Sequence, residues 1–323
     1  PGSPPRPPRG AGCSVCALGR DGAALLFIST RLDGLGAQVI NIICGMAIAA
    51  RLGLNFGGVV GEERTVHGVR TWEAANEFFW LHEPDAIFKR ESVEYDRVFG
   101  KTKQLESASE TLRARSKVWL KHDGLMFHIF RQVESMGEVG IDSYLTPSFI
   151  QALRAQTRPF VESRLARSQK FSKPGAPRVA LHIRRGDVVN NEKHKGRFSP
   201  DSWYYAHVDR IRKLLPDADV HVFSSTEGQW ARSDFQGYLD RNMTVHLDSD
   251  PLEDWACFAS VQVLVMAKSS FSQVPALLNP YCVIYQPEPY GVKPLSGWIN
   301  GAKATRPGLD EELHDCVSRT WSA

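Results

Sequence analysis

The chain has 323 residues, of which 42% are hydrophobic and 23% charged, with a formal net charge of +3. This composition excludes a fibrous or wholly disordered protein, and the length exceeds what one ordinary core needs, so two domains facing a cleft are expected. The small net charge excludes a backbone-directed nucleic-acid binder, which masses Lys and Arg on one face, so any anion must be met by local clusters.

Residues 1 to 9 contain five prolines and begin with Pro1, which reads as a leader or stem over 1–20, exposed by trimming of an N-terminal segment. A lost signal or anchor is the one membrane connection expected. Ala23 to Ile28 reads as a buried strand, Arg31 to Gly36 as a glycine loop and 37–52 as a helix. The apolar stretch Val39 to Leu54 is broken by Asn41, Gly45, Arg51 and Gly53, and falls short of the roughly 20 residues that span a bilayer, so the helix is buried. Residues 70–165 are rich in helix formers and are expected to add several helices, completing an α/β domain over 21–167.

The polar, proline-bearing run 168–177 marks the expected boundary. Beyond it strands 178–183, 219–224, 243–247, 262–266 and 281–285 alternate with helices 201–215, 229–239, 251–259 and 270–278. That alternation predicts a doubly wound parallel sheet over 178–305, Rossmann-like, with 306–323 as a C-terminal tail or helix. Of the six cysteines at 13, 16, 44, 257, 282 and 316, Cys44, Cys257 and Cys282 lie in apolar runs and read as small core residues. Pairings of Cys13, Cys16 or Cys316 stay open, and Cys13-Ser14-Val15-Cys16 lacks the second half a zinc site needs. Asn242-Met243-Thr244 has the form of an N-glycosylation acceptor, a triplet that also arises by chance.

Doubly wound sheets bind ligands beyond the carboxyl ends of their strands, and three segments fall there. In Leu181-His182-Ile183-Arg184-Arg185-Gly186-Asp187 two adjacent arginines end a buried strand. On extended chain they point in opposite directions, so one can face a cleft while the other pairs with Asp187 or a carbonyl. A guanidinium suits phosphate because its planar fork makes bidentate, charge-assisted bonds; an interdomain salt bridge is the plain alternative. Ser224-Ser225-Thr226 ends the next strand, where helix capping suffices as an explanation. Lys268-Ser269-Ser270-Phe271-Ser272-Gln273-Val274 ends a third and opens a helix, a place suited to phosphate.

These segments together resemble the fucosyltransferase superfamily that includes the α-1,2-fucosyltransferases and the core α-1,6-fucosyltransferases. His182-Ile183-Arg184-Arg185-Gly186-Asp187 resembles the α-1,2 family's His-Ile/Val-Arg-Arg-Gly-Asp. Asp33-Gly34-Leu35-Gly36-Ala37-Gln38 resembles its Gly-Gly-Leu-Gly-Asn-Gln, and Ser269-Ser270-Phe271-Ser272 its Ser-Ser-Phe-Ser, while Phe271-Ser272-Gln273-Val274 is similar to the α-1,6 Phe-Ser-Ser-Gln-Val. The resemblance implies a GT-B-like fold with an acceptor-side N-terminal domain, guanine contact at His182, pyrophosphate contact at Arg184 and phosphate contacts at Ser270 and Ser272. It further implies nucleotide contacts from Arg185, Asp187, Ser224, Ser225, Asp254 and Phe271, a substrate loop at Gly34, Gly36 and Gln38, and a base at Glu192 by its spacing of ten from His182. Ser225-Thr226 departs from the family's Asp-Asp, and Val188 from the α-1,6 lysine.

The implied reaction moves fucose from GDP-fucose to a glycan hydroxyl with inversion. Arg184 stabilises the leaving diphosphate and no metal or other cofactor is required. Asp248-Ser249-Asp250 has the spelling of a metal-binding Asp-x-Asp, but Asp250 precedes Pro251 at a helix start, where capping explains it. The expected partners are GDP-fucose and a glycan acceptor, not nucleic acid; the expected location is the Golgi lumen, or the cytoplasm if no signal precedes Pro1. Another nucleotide sugar on the same scaffold, or an inactive glycan or sugar-nucleotide binder, are the competing readings.

Overall fold

The computed structural model describes residues 25–29, 34–52, 55–61, 65–66, 69–79, 85–88, 126–129, 145–171, 173–188, 195–287, 294–302 and 306–321. The leader 1–20, Cys13, Cys16, Asp33 and Glu192 lie outside them. The chain divides into two units, Pro1–Phe160 and Val161–Ala323.

The first unit opens with strand β1 (Leu25–Ser29), helix α1 (Leu35–Leu52) and strand β2 (Asn55–Gly61). Then come a short antiparallel pair, β3 (Thr65–Val66) and β4 (Val69–Arg70), helix α2 (Thr71–Phe79), and strands β5 (Asp85–Phe88) and β6 (Met126–Ile129). Four strands form a parallel sheet in the order β5-β2-β1-β6. Nearly all of α1 is buried, from Leu35 and Val39 to Ile48 and Ala49, as a helix apolar around most of its circumference requires. Gly45 permits its close approach to the sheet: a Cβ there would stand 2.7 Å from Ile28 Cγ2 and 3.0 Å from Phe56 Cε2. Helices α2 and Pro147–Arg167 fall in the span 70–165 where several helices are expected, and strands β5 and β6, not expected from the sequence, fall there too. Their cores, Ala86-Ile87-Phe88 and Met126-Phe127-His128-Ile129, are too short to show a helical period and join the sheet as strands.

Helix α3 (Pro147–Arg167) carries the division between the units. The second unit continues through β7 (Arg178–His182), α4 (Asp201–Leu214), β8 (Asp219–Ser224) and α5 (Gln236–Leu239), the last preceded by a 3-10 turn over Arg232–Phe235. It ends with β9 (Thr244–Leu247), α6 (Pro251–Ser260), β10 (Val263–Val265), α7 (Ser270–Leu278), β11 (Cys282–Tyr285), β12 (Ile299–Asn300) and α8 (Leu309–Trp321). The six strands are parallel in the order β12-β11-β10-β7-β8-β9. The chain starts on the middle strand β7, winds outward through β8 and β9, returns to β10 on β7's other side and winds outward again. This is the doubly wound order, and its direction reverses between β7 and β10.

Period-two alternation assigns the two sheet faces. Val179, Leu181 and Ile183 of β7 and its extension share a core with Val220 and Val222, Val263 and Val265, and Trp203, Tyr204, Phe235, Tyr238, Leu309 and Leu313 from α4, α5, α8 and the 3-10 turn. The opposite face carries His182, His221, Phe223 and His246. His182 lies between the rings of Phe258 on α6 and Phe271 on α7, with centroids 5.7 and 5.3 Å away. The reading of Cys282 as a plain core residue is corrected: it is buried, and it is bonded to Cys316 of α8, with Cα atoms 5.8 Å apart. Both cysteines point into the apolar face, where helix and strand meet.

Candidate functional site

The alternation that lays out β7 also separates its two arginines. Arg184 continues the face of His182 and reaches across the switch point, where its Nη1 donates to Ser269 Oγ at 3.4 Å. Arg185 continues the apolar face, is 3% exposed, and donates Nη1 to Ser199 O at 3.1 Å and to Arg184 O at 3.3 Å. Its Nη2 is ion-paired with Asp201 at the start of α4, and its guanidinium lies over Phe198 and Trp230, 4.8 and 5.1 Å from their centroids. The sequence expectation of opposite directions holds in these contacts, and a carbonyl is indeed among the partners. The acid that Arg185 meets among the described residues is Asp201, because Arg185 points to the face α4 covers; the side chain of Asp187, the acid expected from the sequence, lies outside them. The Arg185 fork is engaged by these protein groups, which hold β7's end to the start of α4.

Gly186 turns the chain out of β7 with φ +41, and Gly228 packs on it with φ +82. A Cβ at Gly228 would stand 3.3 Å from Gly186 O, so both the backbone angle and the space favour glycine there. Ser224 donates its hydroxyl to Ile183 O at 2.7 Å, tying β8's end to β7's. Thr226, in the Asp-Asp position of the family, is held by Asp248: its N–H donates at 2.9 Å and its hydroxyl at 2.6 Å. Asp250 caps α6, accepting from Leu252 N at 2.9 Å and Glu253 N at 2.8 Å. Both acids of the Asp-x-Asp triplet therefore have defined structural partners.

At the start of α7, Ser269 is the N-cap, its oxygen accepting from Phe271 N at 3.2 Å. Ser270 and Phe271 are half-buried on the first turn, where helix amides and dipole favour an anion. Ser272, the other expected phosphate contact, is fully enclosed, and its hydroxyl donates to Ser269 O at 3.2 Å and Ala267 O at 3.4 Å. Ser269, missed from the sequence, is the residue that joins Arg184 to the helix. Its signal was legible, a serine immediately before a helix-forming run.

His182 is buried, its Nδ1 has no hydrogen-bond partner among the described residues, and burial with the neighbouring Arg184 charge pushes its pKa down to about 3. It is therefore a neutral imidazole, able to accept or donate to a neutral base. Asp254 on α6 is buried, and burial raises its pKa to about 6 although Lys170, 2.6 Å away, acts in the opposite direction. Lys170 also lies 3.3 Å from Glu253 and over the Phe223 ring at 5.3 Å. Ser225 is half-buried beside Gly186. Of Asp187 only the backbone is described, in a 3-10 turn over Gly186–Val188.

In the first unit, Gly34 is exposed before α1, and Gly36 and Gln38 are buried in its first turns. A Cβ at Gly34 would meet nothing within 4 Å among the described residues. β1, which precedes Gly34 in sequence, lies at this sheet's own reversal of strand order, between β2 and β6.

The arginines, serines and glycines of the second unit's site lie within a doubly wound parallel sheet and the segments that follow its strands. Residues 165–285 match the model of glycosyl transferase family 11, and the match contains all three of the C-terminal motifs. Among solved structures, the chain is similar to an arginine-to-lysine mutant of Arabidopsis thaliana FUT1 in complex with GDP, at 11% identity over 83% of this chain and 71% of that one, TM-score 0.44. It is also similar to POFUT1 in complex with GDP, at 9% identity over 82% and 99%, TM-score 0.46. A third likeness is to the glycosyl transferase family 9 protein of Veillonella parvula, at 11% identity over 83% and 82%, TM-score 0.42. No curated protein sequence matches the chain.

Proposed function

We propose that the chain is an inverting fucosyltransferase that uses GDP-fucose and needs no metal. The carrying observation is Arg184, held by Ser269 at the switch point of a doubly wound sheet, beside the first turn of α7. A cation and a helix amino terminus there meet a diphosphate from two sides, and the charge that grows as the glycosidic bond breaks is stabilised where it forms. Neutral His182 and the carboxylate of Asp254 supply groups for a guanine edge: the carboxylate accepts from the base's ring N–H and amino group, which adenine and uracil do not present together. Arg184 performs the electrostatic work that an Asp-x-Asp metal performs elsewhere, since Asp250 and Asp248 are engaged as cap and loop tie. Glu192 is the proposed base for the acceptor hydroxyl. The proposed setting is the secretory lumen.

A thermal-shift panel of GDP, UDP and ADP in chelator tests the reading. At 100 times its dissociation constant GDP should stabilise the protein by about 2.7 kcal/mol, and GDP-fucose turnover should persist without divalent metal. Stabilisation by UDP or ADP in place of GDP overturns the donor; loss of turnover in chelator overturns metal independence. Binding without hydrolysis or transfer marks an inactive binder.

A further inference from the structure

We propose that Asn242 is an N-glycosylation site, carrying an oligosaccharide at the amino edge of the C-terminal sheet. The chain contains eight asparagines, and Asn242-Met243-Thr244 is its single Asn-x-Ser/Thr triplet. The turn between α5 and β9 presents that triplet in the way an acceptor needs. Met243 is 4% exposed and belongs to the apolar core, whereas Asn242 and Thr244 on either side of it are exposed. Alternation thus puts the buried residue inward and both recognised side chains outward.

The turn is held by main-chain contacts that leave the Asn242 side chain to solvent. Arg212 donates to Arg241 O at 2.7 Å and to Asn242 O at 2.9 Å, and Asn242 N–H donates to Leu239 O at 2.9 Å. Asn242 adopts φ +55, a left-handed conformation that asparagine tolerates well, so the amide projects from a fixed backbone.

A second, independent observation is the Cys282–Cys316 disulfide, which belongs to an oxidising compartment, the one in which such acceptors meet their donor. The reaction joins Asn242 Nδ2 to the anomeric carbon of an oligosaccharide carried on a lipid pyrophosphate. The bond from that carbon to the pyrophosphate oxygen breaks, the lipid pyrophosphate leaves, and the amide gives up one proton.

The position is compatible with the nucleotide site. All six strands are parallel, so Asn242, before β9, stands at their amino ends, while Arg184 and Ser269 follow the carboxyl ends of β7 and β10. β9 is also an edge strand of the sheet, and a glycan at its start would hinder another chain from pairing there.

The test is to produce the full chain behind a cleavable signal in a eukaryotic secretory host and treat the product with peptide N-glycosidase. Expected are one downward mobility step and deamidation mapped by mass spectrometry to position 242. Asn242→Gln and Thr244→Ala should each abolish the step while Cys282–Cys316 still forms, and Thr244→Ser should keep it. A secreted wild-type chain with the disulfide formed and no glycan at position 242 overturns the proposal, as does a step that persists in Asn242→Gln. The wild-type mapping is decisive even where a variant is not secreted.

Discussion

The two faces of the C-terminal sheet are built from alternate residues of the same strands, yet they do different work. The face under α4, α5 and α8 is a continuous apolar core with a disulfide, closed at its carboxyl end by the Arg185–Asp201 pair. The face under α6 and α7 carries three histidines, the Lys170–Asp254 pair and Arg184. One residue of register thus separates an arginine that supports the fold from the one proposed to meet the diphosphate, and a one-residue slip would exchange them.

The sharpest way to break that comparison is Arg184→Ala. It should lower turnover of GDP-fucose by about 10²–10³, roughly 3–4 kcal/mol of transition-state stabilisation, and leave the urea midpoint near wild type. Lysine should not rescue it, since an ammonium lacks the planar fork. Near-normal turnover, or loss of the fold, would remove the division of labour.

On the apolar face, reduction of Cys282–Cys316 should destabilise the protein by about 3–4 kcal/mol in the chain-entropy model for a loop of this size. Comparing the denaturant midpoints of the oxidised and reduced chain measures it. An equal midpoint would show that α8 is held by Leu309 and Leu313 alone.

Arg185→Ala should cost about 2–3 kcal/mol of stability, below the usual range for breaking a buried pair because Asp201 keeps access to water. The side chains of Arg185 and Asp201 are 2% and 40% exposed. Its GDP affinity, measured on the protein that remains folded, should stay within a few-fold of wild type. A stable Arg185→Ala protein that has lost GDP binding would return Arg185 to the nucleotide.

Much of the C-terminal fold was legible in the sequence because each β-α repeat there is short, its strands apolar and its boundaries marked by residues with a mechanism. Strand Asp219–Ser224 and helix Ser270–Leu278 fall where alternation puts such elements, and helix Pro251–Ser260 starts where Asp250 before Pro251 puts it. β12, two residues long, has too little pattern to read. The opposite pointing of Arg184 and Arg185 followed from alternation, but Asp201 as partner did not, because it depends on where α4 lands. The hydroxyl of Ser272 bonds within the turn that makes the motif, a use that the motif's spelling does not reveal. Cys282 could not be paired from spacing, since the contact with Cys316 is made by a helix that packs back on the sheet.

The smallest effect concerns pH and the polar face. His182 and His246 have pKa values lowered to about 3 and about 4, in each case first by burial, with the Arg184 charge adding to it at His182 and His221 and Lys170 at His246. His221, 2.8 Å from His246 and 2.9 Å from Asp219, is also lowered, burial outweighing the Asp219 charge. In the unfolded chain each histidine takes up a proton near pH 6.5, and in the fold His182 and His246 do not until far lower. The unfolded state therefore binds more protons between about pH 6.5 and 4, and stability falls as pH falls through that window. Asp254 acts the other way, since its carboxyl, raised to about 6, holds a proton that the unfolded chain has released above its ordinary value of 3.8. Two strongly lowered histidines and a third of the same sign outweigh one raised acid. The urea midpoint should drop steadily from pH 7 to pH 4.5, and His246→Gln should flatten that slope without changing the midpoint ratio of the Arg185→Ala protein to wild type. A midpoint that rises on acidification would show that Asp254, rather than the histidines, sets the acid response of this face.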